Sequence, residues 1–324
     1  MLAREMTPPP AAWNGAPDDA RNPARSQLNP PSDERQGNTM IGLTLPDVDS
    51  WSERVAVALG QNPGLFTGPG TNTYLVGSGR RRILLDTGQG KPGYPDVLAR
   101  AMAHAGCDEI QEVVLTHGHV DHIGGVAQVV ERFGTRRVSK LPWPAFDRTC
   151  PHPITPIGDG SVVRTEGATL RAVHAPGHAP DHLCFVLEEE RALFSGDNVL
   201  GVGTTVIPSD SGDLIDYMAS LERLLALAPG RIYPAHGPVI SDGRAKLRSY
   251  IAHRGERERQ ILAALAEGDA PIAAIVKRVY TDVPEVLHAA AAQSVASHLR
   301  KLEREGRAHR VDPRPPLEAL WTRR

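Results

Sequence analysis

The stretch Val113-Val114-Leu115-Thr116-His117-Gly118-His119-Val120-Asp121-His122 decides how this chain is read. An apolar run ends at Thr116, and four metal-capable side chains follow within six residues. His117 and His119 sit at alternate positions, so at a strand end they point the same way. Asp121 and His122 come next, ahead of Ile123-Gly124-Gly125 and a helix-like run. Imidazole with carboxylate is the ligand set that suits zinc, manganese or iron. A lone loop histidine is ordinarily a solvated or capping residue. Three histidines and an aspartate packed after a β-rich run predict two adjacent metal sites.

Three further segments repeat the pattern. Ala175-Pro176-Gly177-His178 follows the strand-like Thr169-Leu170-Arg171-Ala172-Val173. Ala192-Leu193-Phe194-Ser195-Gly196-Asp197 is a short apolar strand ending in Gly-Asp, and Arg231-Ile232-Tyr233-Pro234-Ala235-His236-Gly237-Pro238 ends in His-Gly. Each puts one His or Asp just past a strand, beside a glycine that lets the backbone turn tightly. Strand ends that deliver such groups to one spot turn a sheet edge into an active site.

The ordered set THGHVDH, PGH, SGD and PAHGP resembles the metallo-β-lactamase superfamily. The resemblance implies that His117, His119 and His178 hold a first metal and that Asp121, His122 and His236 hold a second. It implies that the Asp197 carboxylate bridges both. Asp86, in Ile83-Leu84-Leu85-Asp86-Thr87-Gly88, matches a family aspartate expected to orient a ligand histidine; a turn-capping aspartate is the plainer alternative. A bridging carboxylate is typical of the superfamily's phosphodiesterases and thioester hydrolases, so the family name does not imply antibiotic degradation. Longer stretches, including Gly70-Thr71-Asn72-Thr73-Tyr74-Leu75-Val76-Gly77 and His298-Leu299-Arg300-Lys301-Leu302-Glu303-Arg304-Glu305-Gly306, are similar to the lactamase-β-2, endoribonuclease-like family over about residues 50 to 310. Two departures stand out. Gly118 and Val120 replace the bulkier or charged groups often found between the motif histidines, and the loop Pro208-Ser209-Asp210-Ser211-Gly212-Asp213 is longer than usual. Both are expected near the substrate mouth.

Composition sets the outer bounds. The chain has 324 residues, 40% of them hydrophobic, enough for a layered core and one further small domain. A net charge of −2 gives no global nucleic-acid footprint. The average hides an asymmetry: from Arg244 onward there are 16 Lys and Arg against 10 Asp and Glu, leaving 20 basic against 28 acidic before it. A basic tail permits polyanion binding, although basic helices are more often solvated faces. Cys107, Cys150 and Cys184 are scattered, odd in number and without a CxxC pair, which predicts a reducing compartment and no disulfide framework. No apolar run of membrane-spanning length and no apolar secretory core is present in the sequence, so a cytoplasmic protein without a membrane partner is expected.

Residues 1–39 are rich in Pro, Asn, Asp and Arg and are expected to be a disordered extension, with Met40 as an alternative start. Residues 40–243 then alternate short β-rich runs with helical patterns such as Val126, Val129, Val130 and Phe133 on one face. Such alternation fits several α/β folds. The resemblance selects an αββα metallo-β-lactamase sandwich. Residues 244–324 turn helical: a long helix from Arg244 to Ala266, a second opened by Pro271-Ile272, and a third within Glu285 to Glu305, with a possible strand beyond Gly306. Three helices and a β element resemble a winged helix, which here is expected to wall the metal cleft rather than enter a nucleic-acid groove.

The implied chemistry is hydrolysis by a hydroxide bridging two divalent cations, zinc first and manganese as the alternative. No Ser or Cys nucleophile is needed. Asp121 is expected to orient that hydroxide and shuttle a proton. His182, four residues after His178, is a candidate donor to the oxyanion or leaving group, with a supporting or capping histidine as the stronger alternative. Whole-chain resemblance favours an endoribonuclease acting on single-stranded RNA. Aromatics make up only 5% of the chain, which limits base stacking. The alternative enzyme is an acyl-thioester hydrolase acting on a carrier-protein or glutathione thioester. A third class, an RNA-binding protein with a structural metal centre, fits the ligand set less well, because structural zinc normally takes four ligands and one ion.

Overall fold

Alternating side chains along the strands sort this chain into layers. The computed structural model describes residues 40–324 except 136, 149 and 282. The expected extension, residues 1–39, lies outside the described residues. Seven strands make one sheet in chain order: β1 (Val48–Ser52), β2 (Val55–Leu59), β3 (Asn72–Val76), β4 (Arg81–Leu85), β5 (Glu109–Val114), β6 (Val138–Lys140) and β7 (Ile154–Pro156). β1 to β4 pair antiparallel, and β4 to β7 pair parallel. A second sheet holds β8 (Val162–Thr165), β9 (Ala168–His174), β10 (Leu183–Leu187), β11 (Ala192–Gly196) and β12 (Arg231–Pro234), with only β11 and β12 parallel.

Six helices accompany the sheets: α1 (Tyr94–His104), α2 (Val120–Ile123), α3 (Val126–Phe133), α4 (Pro144–Asp147), α5 (Leu214–Ala226) and α6 (Gly243–Ala266). On β3, Tyr74 and Val76 pack with Leu170, Phe185 and Phe194 of the second sheet, while Leu75 packs with Tyr94 and Leu98 of α1. The same two-residue period on β10 sends Leu183 and Phe185 inward and Cys184 and Val186 toward α5. α5 buries Leu214, Tyr217, Leu221 and Leu224 along one stripe, and Asp213 caps its start by accepting from Ile215 and Asp216 backbone N–H groups. The result is the expected αββα sandwich.

The C-terminal part has its own core. α7 (Ile272–Val279), α8 (His288–Arg304) and a small sheet ordered β13 (Ala270–Pro271), β15 (Leu320–Arg323), β14 (Ala308–Arg310) enclose Ile275, Val295, Leu299 and the fully buried Trp321. This is the winged-helix arrangement. The strand anticipated beyond Gly306 is β14; its partner β15 carries only four residues and had no clear alternation to announce it. The expected division at 243/244 falls in the first turn of α6. That helix packs Leu247 and Tyr250 into the sandwich and Ile261, Leu262 and Leu265 into the C-terminal core. No described helix is long and apolar enough to cross a membrane.

Candidate metal centre

Strand ends bring the metal-capable residues to one rim. His117 and His119 follow β5, Asp197 follows β11, His236 follows β12, and His178 lies in the turn between β9 and β10. Asp121 and His122 ride on α2, immediately after His119. His117, His119, Asp197 and His236 thus lie past the carboxyl ends of parallel strands, where open α/β sheets gather ligands, whereas His178 comes from an antiparallel turn.

Two groups of atoms form there. In the first, His117 Nε2 and His178 Nε2 each lie 3.0 Å from His119 Nδ1. In the second, Asp121, His122, Asp197 and His236 each offer an atom within 4.8 Å of the others. Asp121 Oδ2 is 3.2 Å from His236 Nε2 and 3.5 Å from His122 Nε2. Asp197 spans the two groups. Its Oδ2 lies 3.4 Å from His178 Nε2, and its Oδ1 lies 3.2 Å from His236 Nε2 and 3.4 Å from His122 Nε2. All seven residues singled out in the sequence are therefore brought together.

Oxygen acceptors behind the rings decide which nitrogen faces the centre. Asp86 accepts from His122 Nδ1 at 2.8 Å and from the Thr116 backbone N–H at 2.8 Å. It does so from a left-handed backbone, φ 61°, which costs a non-glycine residue on the order of 1 kcal/mol. His178 Nδ1 donates to the Val206 carbonyl at 3.0 Å, and His236 Nδ1 donates to the Gly70 carbonyl at 3.4 Å. With Nδ1 committed, Nε2 of each ring is left for a ligand.

The two groups differ in charge. Burial, reinforced by the neighbouring imidazoles, holds His117 well below its ordinary pKa and pushes His119 down to about 4. Burial likewise lowers His178. In the second group burial opposes charge, but carboxylates outweigh it. Asp121, Asp197 and Asp86 hold His122 well above its usual value, and Asp197 with Asp121 raises His236 to about 9. The same imidazoles keep Asp121 and Asp197 ionised against burial. The carboxylates thus draw protons to the place a cation would take, and metal binding displaces such protons. His122 Nε2 and Asp197 Oδ1 are buried without a hydrogen bond. Those two orphaned atoms and the nitrogen-oxygen donor set fit a pair of divalent cations.

His182 sits where its supporting reading, the stronger of the two, would put it, and not at the cleft as a donor. It is fully buried, and its Nε2 accepts the Asp197 backbone N–H at 3.1 Å. Burial lowers its pKa well below the ordinary value, which leaves the ring neutral. It supports Asp197 from behind and does not face the cleft. Gly196 makes room for it, since a Cβ there would come 2.6 Å from His182 Nε2. Sequence reasoning also missed Thr116, whose hydroxyl reaches Asp86 at 2.8 Å and His117 Nδ1 at 3.0 Å, and the Val206 and Gly70 carbonyls. A backbone carbonyl leaves no trace in residue type. The segment leading into the loop at residues 208–213, and Ser209 at its start, are tied down. Arg254 donates to the Thr205 carbonyl at 2.6 Å, Ser297 donates to the Ile207 carbonyl at 2.9 Å, and Gln293 accepts from Ser209 N–H at 3.1 Å.

Comparison with known proteins agrees with this geometry. Residues 66–236 match the family described as "Metallo-beta-lactamase superfamily", and residues 272–314 match "Beta-lactamase associated winged helix domain". An atrochrysone carboxyl ACP thioesterase of Aspergillus novofumigatus is 45% identical over 226 residues, 69% of this chain and 66% of that protein. One from Paecilomyces divaricatus is 47% identical over 221 residues, 68% of this chain and 67% of that protein. A lactamase-like protein of Pestalotiopsis fici is 40% identical over 80% of this chain and 82% of its own length. This chain therefore spans about two thirds of the thioesterases it matches. Among solved structures, a beta-lactamase domain protein from Burkholderia ambifaria superposes with a TM-score of 0.74 at 20% identity, covering 87% of this chain and 96% of that one. A metallo-beta-lactamase family protein from Thermus thermophilus superposes at 0.70 and 24%, covering 85% and 100%. These two speak to the fold alone.

Proposed function

This chain belongs to the metallo-beta-lactamase superfamily and carries its associated winged helix domain, and from that premise we propose that it is a thioesterase, a two-metal hydrolase that releases an acyl group from the thiol of an acyl carrier protein. The superfamily and its thioesterase relatives make the chain a metallo-hydrolase. The observation that carries the finer reading is the likeness, at 44–47% identity across about two thirds of the chain, to proteins named as acyl-carrier-protein thioesterases.

His117, His119 and His178 would hold one cation, Asp121, His122 and His236 the other, and Asp197 would use one oxygen for each. A bound pair of divalent cations supplies a water activated near neutral pH and polarises the substrate carbonyl. Asp86, Val206 and Gly70 fix the rings of His122, His178 and His236, so little reorganisation is left to the reaction. Asp121, with 18% of its side chain exposed, is placed to pass a proton between the cleft and bulk water. Thiols have a pKa near 8.5, so a thiolate departs without a protonated donor. That suits a centre whose extra imidazole, His182, is buried behind the ligands.

The ribonuclease reading has less support. Ser294 to Leu299 of α8 are all buried. Of the residues of that helix only Ala289 and Arg304 are exposed, so it has no free face to enter a groove. The test is purified protein loaded with zinc or manganese, given acyl-carrier-protein thioester in one tube and single-stranded RNA in another. Free thiol with intact RNA is expected. Cleaved RNA with no thiol released would overturn the proposal.

A further inference from the structure

We propose that Phe146, Trp143 and Val120 form an apolar subsite beside His117, His119 and His178, and that it takes the hydrocarbon or aromatic part of the acyl group. The proposal rests on the thioesterase reading for the identity of its occupant. The Phe146 ring stands edge-on to His119, centroid to centroid 5.4 Å. Val120 lies between His119 and Asp121 in the chain and is 58% exposed, and Trp143, one residue before α4, is 40% exposed. Large apolar groups left open to water beside a reaction centre mark a place that a ligand covers.

The wall is built, not incidental. No residue of α4 is buried, so no core holds this one-turn helix. A buried ionic network holds it instead. The fully buried Lys140 ammonium lies 2.8 Å from Asp147 Oδ1 in α4 and 2.8 Å from the Leu141 carbonyl. It also lies 2.5 Å from Asp181, itself fully buried, in the turn between His178 and His182. Asp147 in turn accepts from the Trp143 backbone N–H at 2.6 Å. Burying a lysine and a carboxylate adds little to stability over an apolar pair of the same size. What the network does supply is register: it locks the Trp143–Phe146 turn to the loop bearing His178. On the other side, Gly118 has no side chain where a Cβ would overlap the Phe146 Cβ and come within 3.2 Å of Asp181 Oδ2. The ring can therefore sit against the ligand-bearing backbone. Apolar residues also stand elsewhere: Leu65 and Met40 line a cavity of about 530 Å³ whose lining includes Pro69 but none of the seven metal-capable residues. It serves as the comparison.

The experiment compares acetyl, octanoyl and naphthoyl thioesters of N-acetylcysteamine on the wild type, Trp143→Ala, Phe146→Leu and Leu65→Ala, with metal content measured for each. Trp143→Ala and Phe146→Leu are expected to keep two metals and to hydrolyse the acetyl ester within about two-fold of wild type. For the octanoyl and naphthoyl esters kcat/KM should fall about ten-fold or more, chiefly through KM. An equal loss on all three esters, no loss on any, or a loss confined to Leu65→Ala would overturn the subsite. Calorimetry of naphthoate binding to the metal-free protein gives a second reading. Affinity should drop about ten-fold in Trp143→Ala, and equal affinity would overturn the proposal even for a wild type that cleaved no thioester. That last result would end the thioesterase reading by itself.

Discussion

At the metal centre the loops of the sandwich present side chains to the cleft, whereas α6 and α8 present theirs to a backbone. His117, His119, Asp121, His122, His178, Asp197 and His236 all point at a common space. Arg254, Gln293 and Ser297 instead grip the segment from Thr205 to Ser209, in which the Val206 carbonyl receives the His178 ring proton. Chemistry and support are thus divided between two parts of the molecule. Among the described residues, α8 of the winged-helix unit is spent on buttressing a loop of the centre.

Breaking the first part should cost most. Asp197→Ala and His119→Ala are expected to lower kcat/KM by on the order of 10³-fold or more, with circular dichroism near wild type and metal content reduced. A variant that stayed fully active would remove these residues from the centre. Breaking the second part should cost less and act at a distance. Ser297→Ala should lower affinity for the metal held by His178 by about ten-fold, as loss of a supporting contact commonly does. Competition with a chelator measures it, and an unchanged affinity would mean that α8 merely packs on the loop.

A pH test sharpens the contrast from within the C-terminal part. His298 is buried among Arg254, Lys301, His253 and Arg257, and burial with those charges holds its pKa well below 6.5. The unfolded chain takes up this proton below about pH 6.5 and the folded chain does not. Stability present at pH 7 is therefore lost as pH falls through 6.5, at up to about 1.4 kcal/mol per pH unit. Urea unfolding at pH 7 and 5.5 should show His298→Leu losing less stability than wild type, and parallel losses would exclude the effect. The smallest change is expected from salt. Hydrolysis of a neutral thioester should barely respond between about 50 and 200 mM, where a protein making several phosphate contacts to nucleic acid loses orders of magnitude in affinity.

The ligand side of the centre was legible because strand-end His and Asp beside glycine carry their meaning in residue type. β10 and α3 were legible for a similar reason, since Leu183–Leu187 is an unbroken apolar run and Val126–Phe133 keeps its apolar residues at helical spacing. The supporting side was not legible. Val206 and Gly70 act through carbonyls, and Lys140 meets Asp181 across 41 positions of chain. The three-residue strands β6 and β7 are too short to show an alternation. His182 illustrates the limit from the other direction. Its spacing from His178 left a cleft donor open beside the stronger supporting reading; the chain turns at Gly177, φ 121°, and the ring ends up beneath Asp197.

Stepwise addition of zinc to the metal-free protein, with thiol release from an acyl-carrier-protein thioester followed at each step, tests the central claim most directly. Activity should climb to a plateau at two equivalents per chain and stay absent without metal. Full activity in the metal-free protein, or a plateau with no thiol released at any loading, would contradict it.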